Sequence, residues 1–357
     1  MTAKKYVGMS LALMLISVPA MAGDHDDDDD IAVNTTPSAA VTSASNATTG
    51  ATDLRHGFFA TQFITRRFSP FNQPFNLPGA PAFARFDDLG TGLAAGDERK
   101  RGSGWVSGNY GSQRNTFPGT RSSGNTFSGG FGADWQLDEM LTLGLSVTGS
   151  HTDQTTRFND GSSKTNGLTL SPYVAGRLTD VLSYDLSLGY SWNRTEQHRR
   201  TAGVLVTGSS RSGGYVASGN LTAARWFGSF MLTGKAGFVA SRSERFSFFE
   251  SDGNFVQSSA NNLFQGRFQV GAAYWLNPVM ISASATYVND FNRTDTRLPG
   301  AAVQPANDRD GVVLEGGMTF YGSGAADGMT ASLTASTEVG RKEQRNFNIS
   351  GNLRFAF

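Results

Sequence analysis

His25, His56, His151 and His198 are the four imidazoles of a chain with no cysteine, and they limit the chemistry it can attempt. Thiol nucleophiles and thiolate metal sites are excluded. No HExxH zinc helix, GxSxG elbow or Walker phosphate loop occurs in the sequence. A His followed two residues later by Ser would set a base beside a nucleophile. Here the residue two after His151 is Asp153, and two after His198 is Arg200. His25 lies beside Asp24 and the run Asp26 to Asp30, where a metal is conceivable. Five adjacent like charges repel one another and stay solvated, which is the simpler reading. The pattern points to no enzyme, no cofactor and no metal.

The remaining polar candidates are charges. Arg194, His198, Arg199, Arg200 and Arg211 form a basic patch in and beside one long polar stretch. Arg forks suit the phosphates of lipopolysaccharide. An ordinary solvated loop fits the same residues equally well. Once residues 1–30 are set aside, with two basic and six acidic side chains, 28 basic residues face 24 acidic ones, a net of +4. That excess is too small to indicate nucleic acid.

The N-terminus reads as an address. Lys4 and Lys5 precede an apolar run from Tyr6 to Val18, and Ala20-Met21-Ala22 is a small-x-small cleavage site. Residues 1–22 therefore read as a secretory signal peptide. Residues 23–93 then read as an acidic and flexible segment followed by a Phe/Pro-rich one. Within it, Leu54, Phe58, Phe59, Phe63 and Ile64 bunch at helical spacing with Arg55, Arg66 and Arg67 around them, predicting a short helix over 53–68. Pro70, Pro74, Pro78 and Pro81 forbid regular structure in the next stretch, where Phe71, Phe75, Phe83 and Phe86 recur. That stretch could pack in a pore, on a partner, or at a membrane surface. A second short helix is expected over 86–98.

From Gly104 the pattern changes to period two. Leu182, Tyr184, Leu186, Leu188, Tyr190 and Trp192 alternate with Ser183, Asp185, Ser187, Gly189, Ser191 and Asn193. Only a strand separates these sets onto two faces. The pattern recurs in about twelve segments of roughly 11–14 residues, too long for most soluble sheets but suited to a tilted bilayer crossing. The expected strand cores are 104–114, 125–137, 140–152, 166–178, 181–194, 214–226, 229–242, 263–275, 279–291, 311–321, 329–340 and 345–357. Short connections alternate with long polar ones at 153–165, 195–213, 243–262 and 292–310. The mean hydropathy of −0.29 is compatible with lipid on only alternate residues. The expected fold is all-β: an antiparallel transmembrane barrel of about twelve strands, preceded by a short helical or irregular segment. The competing fold is a β-sandwich, whose apolar faces would point inward.

In a barrel the alternation places Asp134, Arg177, Asp185, Lys235, Arg267, Glu315, Glu338 and Arg354 toward the lumen. A charge facing lipid at mid-depth would cost about 2–4 kcal/mol. Mixed signs give no strong ion selectivity. They are expected to hold a helix inside the pore, or its basic tail Arg99-Lys100-Arg101.

Ala94-Ala95-Gly96-Asp97-Glu98, Gly104-Trp105-Val106-Ser107-Gly108-Asn109-Tyr110-Gly111, Gly129-Gly130-Phe131-Gly132-Ala133-Asp134-Trp135 and Leu170-Ser171-Pro172-Tyr173-Val174 occur in that order. Together with the ending Leu353-Arg354-Phe355-Ala356-Phe357, they resemble an autotransporter β-domain over residues 94–357. The resemblance implies a twelve-stranded barrel with a pore helix, at 86–101 by position, and type V secretion. It implies outer-membrane lipid and lipopolysaccharide around the barrel in a Gram-negative cell, delivery by the Sec translocon, and a monomer. It also makes Leu353, Phe355 and Phe357 the signal read by the barrel-assembly machinery. The implied function is to anchor a short N-terminal segment and to assist its export. Residues 23–93 are short for a repetitive β-helix passenger, and no Asn-Asn cleavage junction precedes the barrel. A loop-mediated adhesin or a small diffusion pore is the alternative.

Overall fold

In the computed structural model the described residues are 61–70, 102–137, 141–296, 303–322 and 328–357. The signal peptide, the Asp run, the linker, the Phe/Pro-rich stretch and the expected pore helix at 86–101 lie outside them.

Residues 61–67 form a helix, α1. The strands are β1 Gly102–Asn115, β2 Ser122–Gln136, β3 Leu141–Thr156, β4 Gly161–Arg177, β5 Leu182–Thr201, β6 Val204–Phe227 and β7 Phe230–Arg245. They continue as β8 Phe248–Phe249, β9 Phe255–Val256, β10 Ser259–Trp275, β11 Val279–Arg293, β12 Asp310–Tyr321, β13 Met329–Val339 and β14 Gln344–Ala356. Among the described residues, all strands but β8 and β9 join antiparallel to their neighbours, and β1 pairs with β14 to close a twelve-stranded barrel.

Burial decides between barrel and sandwich. On β5, Leu186, Leu188 and Trp192 are 46%, 56% and 49% exposed, while Asp185, Ser187, Ser191 and Asn193 are buried. A soluble sandwich would show the reverse. The lipid-type apolar face points outward, and the inner face is mostly polar, with an apolar cluster of Trp226, Met231, Trp275, Met280 and Tyr321 buried at the strand ends. Trp135, Phe227, Tyr274, Phe320 and Phe355 are exposed near one end of their strands, Phe127, Trp192, Tyr215 and Phe347 nearer the other. These two aromatic belts bracket an apolar band, as in barrels that sit in a bilayer.

The tight connections, the start of β1 and the end of β14 share one end, called here the turn end. The opposite, loop end corrects the sequence reading. Residues 153–165 and 195–213 are not long loops: β3 and β4 run into the first, and β5 and β6 run through the second to a tight turn at Ala202-Gly203. Both of these residues have positive φ, 49° and 82°, which suits a two-residue hairpin turn. Their alternation is built from Ser, Thr, Gly and charged residues, so hydrophobic period alone did not reveal it. The stretch 243–262 holds the small β8–β9 hairpin. The connection 294–309 is irregular where described, as expected.

Candidate functional site

α1 begins before a proline stop. Phe68 N donates to Ile64 O at 3.2 Å and Ser69 N to Arg66 O at 3.2 Å, so the last turn tightens. Pro70 then lacks an N–H and disfavours helical φ/ψ at Ser69. The helix lies inside the barrel. Phe63 and Ile64 are 1% and 0% exposed and pack with Trp105 of β1 and Tyr173 of β4, with Phe68 against the same cluster.

Glycines make that seat possible. A Cβ on Gly144 would sit 2.1 Å from the Tyr173 ring, and one on Gly132 would sit 2.5 Å from the Trp105 ring. Both rings therefore lie across a neighbouring strand where only glycine leaves room. Trp105 Nε1 donates to Tyr173 Oη at 2.9 Å, and that hydroxyl is 3.3 Å from Asp134 Oδ2.

Asp134 is the electrostatic centre of the seat. Arg67 Nε donates to its Oδ2 at 3.0 Å and Nη2 to its Oδ1 at 2.9 Å, a two-pronged pair. Ser103 Oγ donates to Oδ1 at 2.5 Å and accepts from Arg67 Nη2 at 2.9 Å. The side chains are 3% and 5% exposed. Midway along the lumen Arg66 pairs with Glu315 at 3.1 Å and also donates to Ser350. Asn220 Nδ2 bridges Thr65 Oγ1 at 3.2 Å and Asp185 Oδ2 at 2.7 Å.

The helix has a direction. A Cβ on Gly130 would sit 3.3 Å from the Phe63 ring. Arg67 instead holds Asp134, four residues nearer the turn end of β2, and Ser103 at the start of β1. α1 thus runs from the loop end toward the turn end.

The other expected lumen residues are spread along the inner wall. Arg177, Lys235, Arg267 and Arg354 occupy inward positions of β4, β7, β10 and β14. Lys235, Arg267, Glu315 and Glu338 line a cavity of about 200 Å³ beside α1. Glu338 belongs to a separate network at the loop end: Arg341 reaches over Gly311 to Glu338 at 2.7 Å and Asp290 at 2.8 Å. Glu315 and Glu338 therefore do different work. Charge reversal at Glu315 is expected to loosen α1 and raise single-channel conductance, by roughly the 1–2 kcal/mol of a partly exposed pair. Reversal at Glu338 is expected to free residues 303–309 to protease with conductance unchanged.

The helix expected at 86–101, with the tail Arg99-Lys100-Arg101, lies outside the described residues; the described lumen helix is 61–67, inside the other helical candidate. Arg66 and Arg67 flanked that candidate in the sequence, but nothing there linked them to Glu315 or Asp134. Trp105 and Tyr173 do not stand out as site residues because alternation gives a side chain's face and not its partner, and Ser103 falls just before the expected strand core 104–114.

At the loop end the alternation divides the basic patch. Arg194, Arg200 and Arg211 face outward and are exposed. Arg199 faces inward, 5% exposed, and pairs with Glu250 at 2.6 Å, so it is withdrawn from the lipid side. His151 lies 3.1 Å from Asp153 and His198 3.1 Å from Ser162, both at the exposed rim. At the turn end Phe355 and Phe357 are 45% and 66% exposed and Leu353 is half-buried.

The autotransporter β-domain model matches residues 104–340. The chain belongs to that family. An autotransporter barrel is an outer-membrane translocator of type V secretion, which is the role of this fold here. The translocator domain of the autotransporter NalP from Neisseria meningitidis matches with a TM-score of 0.63 at 13% identity, over 73% of this chain and 90% of that one. The β-domain of the Bordetella autotransporter BrkA matches with a TM-score of 0.60 at 16% identity, over 72% of this chain and 100% of that one. The transport unit of AIDA-I from Escherichia coli gives 0.53 at 11%, over 74% and 93%. At these identities the likeness is one of fold. None of the curated proteins matches the sequence.

Proposed function

We propose that this barrel carries the segment ahead of α1 to the cell surface and then anchors it there. The observation that supports this reading is the direction of α1. Its first described residues lie toward the loop end, the opening through which an exported segment would pass. With the tight turns in the periplasm, as in outer-membrane barrels generally, the loop end faces the exterior. A helix in the lumen of a membrane barrel fits a translocator that has finished its passage.

The supporting partners follow from this route. Residues 1–22 direct the chain to the Sec translocon of a Gram-negative cell. Leu353, Phe355 and Phe357 present outward side chains to the barrel-assembly machinery at the turn end. The outward residues of the loop end stand among lipopolysaccharide. The barrel works as a conduit and anchor rather than as an enzyme.

An epitope placed within residues 31–52 tests the export. Antibody is expected to bind it on intact cells, and external protease to remove it while leaving the barrel whole. An epitope reached only after lysis would refute export.

A further inference from the structure

Arg194 and Arg211 sit directly opposite each other on β5 and β6, both facing outward. Opposed side chains in an antiparallel pair have Cβ atoms about 4.5–5.5 Å apart, and like charges there are destabilising. The neighbouring residues relieve little of this. Arg194 meets Glu196 at 3.3 Å, but those side chains are 61% and 63% exposed, where an ion pair is worth little. Among the described residues the Arg211 side chain makes no hydrogen bond or ion pair; its backbone carbonyl accepts from Phe246 N at 2.9 Å. Glu244 is the nearest acid on the next strand by register, opposite Gly213, two residues from Arg211.

Their height is set by the residues beneath. Tyr190 packs edge-on against Trp192 at 4.7 Å and against Tyr215 at 4.8 Å. Trp192 and Tyr215 are 49% and 63% exposed on the outward face. These rings belong to the aromatic belt at the loop end, the level where acyl chains give way to headgroups. Arg194 is the next outward residue above Trp192, about 5 Å higher along a tilted strand. Two arginines thus stand at opposed positions at headgroup height, over an apolar face.

We propose that Arg194 and Arg211 clamp one phosphate of an outer-leaflet glycolipid. A phosphate monoester offers three oxygens to two Arg forks and neutralises the opposed charges. Arg199 takes no part, since it faces the other way. This site rests on the placement of the loop end in the outer leaflet.

Full-length protein purified in detergent would be titrated with diphosphoryl lipid A, with dephosphorylated lipid A and with inorganic phosphate, reading bound lipid by native mass spectrometry. The diphosphoryl form is expected to bind at least about tenfold more tightly than the dephosphorylated form. R194A/R211A is expected to erase that preference, R199A to keep it, and R194K/R211K to retain part of it. Equal binding of both lipids by the unaltered protein would overturn the clamp, as would an unchanged preference in R194A/R211A. Inorganic phosphate that displaces lipid A at equal concentration would overturn the lipid assignment. A protein that stays soluble without detergent would instead overturn the membrane placement itself.

Discussion

Asp134→Ala is expected to release α1 and turn a plugged barrel into a steadily conducting one. Asp134 receives both prongs of Arg67 and the Ser103 hydroxyl in a pocket where the ion pair is nearly inaccessible. Removing one partner of such a pair leaves an uncompensated buried charge, a loss of about 3–5 kcal/mol. The other described contacts of α1 are the Phe63 and Ile64 seat, the Arg66–Glu315 pair and the Asn220–Thr65 hydrogen bond. Planar-bilayer recordings of the variant should show long open events where the unaltered barrel shows a closed baseline. Replacing both partners, as Asp134→Leu with Arg67→Leu, is expected to restore much of the closure. No charge is then left buried without a counter-charge. A closed Asp134→Ala barrel would mean that the salt link does not seat the helix.

The second large effect is expected from Phe63→Ala with Ile64→Ala. These side chains are fully buried against Trp105 and Tyr173. Buried Phe→Ala and Ile→Ala changes each cost about 2–5 kcal/mol through lost transfer energy and the cavity left behind. The open probability should rise as it does for Asp134→Ala, but with a different salt dependence. Apolar contacts are not screened, whereas the partly exposed Arg66–Glu315 link weakens as salt rises. A double variant that remains closed at every salt concentration would show that the aromatic seat contributes little. The Trp105 and Tyr173 rings depend in turn on Gly132 and Gly144. Four strands therefore cooperate to make one pocket for the helix.

The barrel was legible in the sequence because lipid and lumen impose opposite demands on successive residues. The run from Leu182 to Asn193 states both demands without ambiguity, and burial on β5 follows it. What alternation cannot state is which solvent lies on which side; exposed Leu186 beside buried Asp185 settles that. The hairpin at 195–213 escaped notice because a strand above the membrane has water on its outer face and needs no apolar residues there. Arg199 and Arg200 illustrate the consequence. As loop residues they are equivalent, but as adjacent strand residues they must face opposite ways. One meets Glu250 inside and the other Asp160 outside.

The lumen site was half legible. Inward charges such as Asp134 and Glu315 could be listed from parity alone. Their partners could not, because Arg66 and Arg67 are far from them in sequence and the contact depends on how α1 is threaded. Family resemblance placed a helix near 86–101, close to β1. The described helix lies earlier, yet Arg67 still reaches Ser103 at the start of β1.

The direction of α1 is tested most directly by cross-linking, which the absence of native cysteine makes clean. One pair of variants carries cysteine at Phe63 and Gly130, the other at Phe63 and Ser103. With a short bis-maleimide on assembled protein, Phe63→Cys is expected to bridge to Gly130→Cys and not to Ser103→Cys. Bridging to Ser103→Cys alone would place the start of the helix at the turn end, and the segment ahead of it on the periplasmic side.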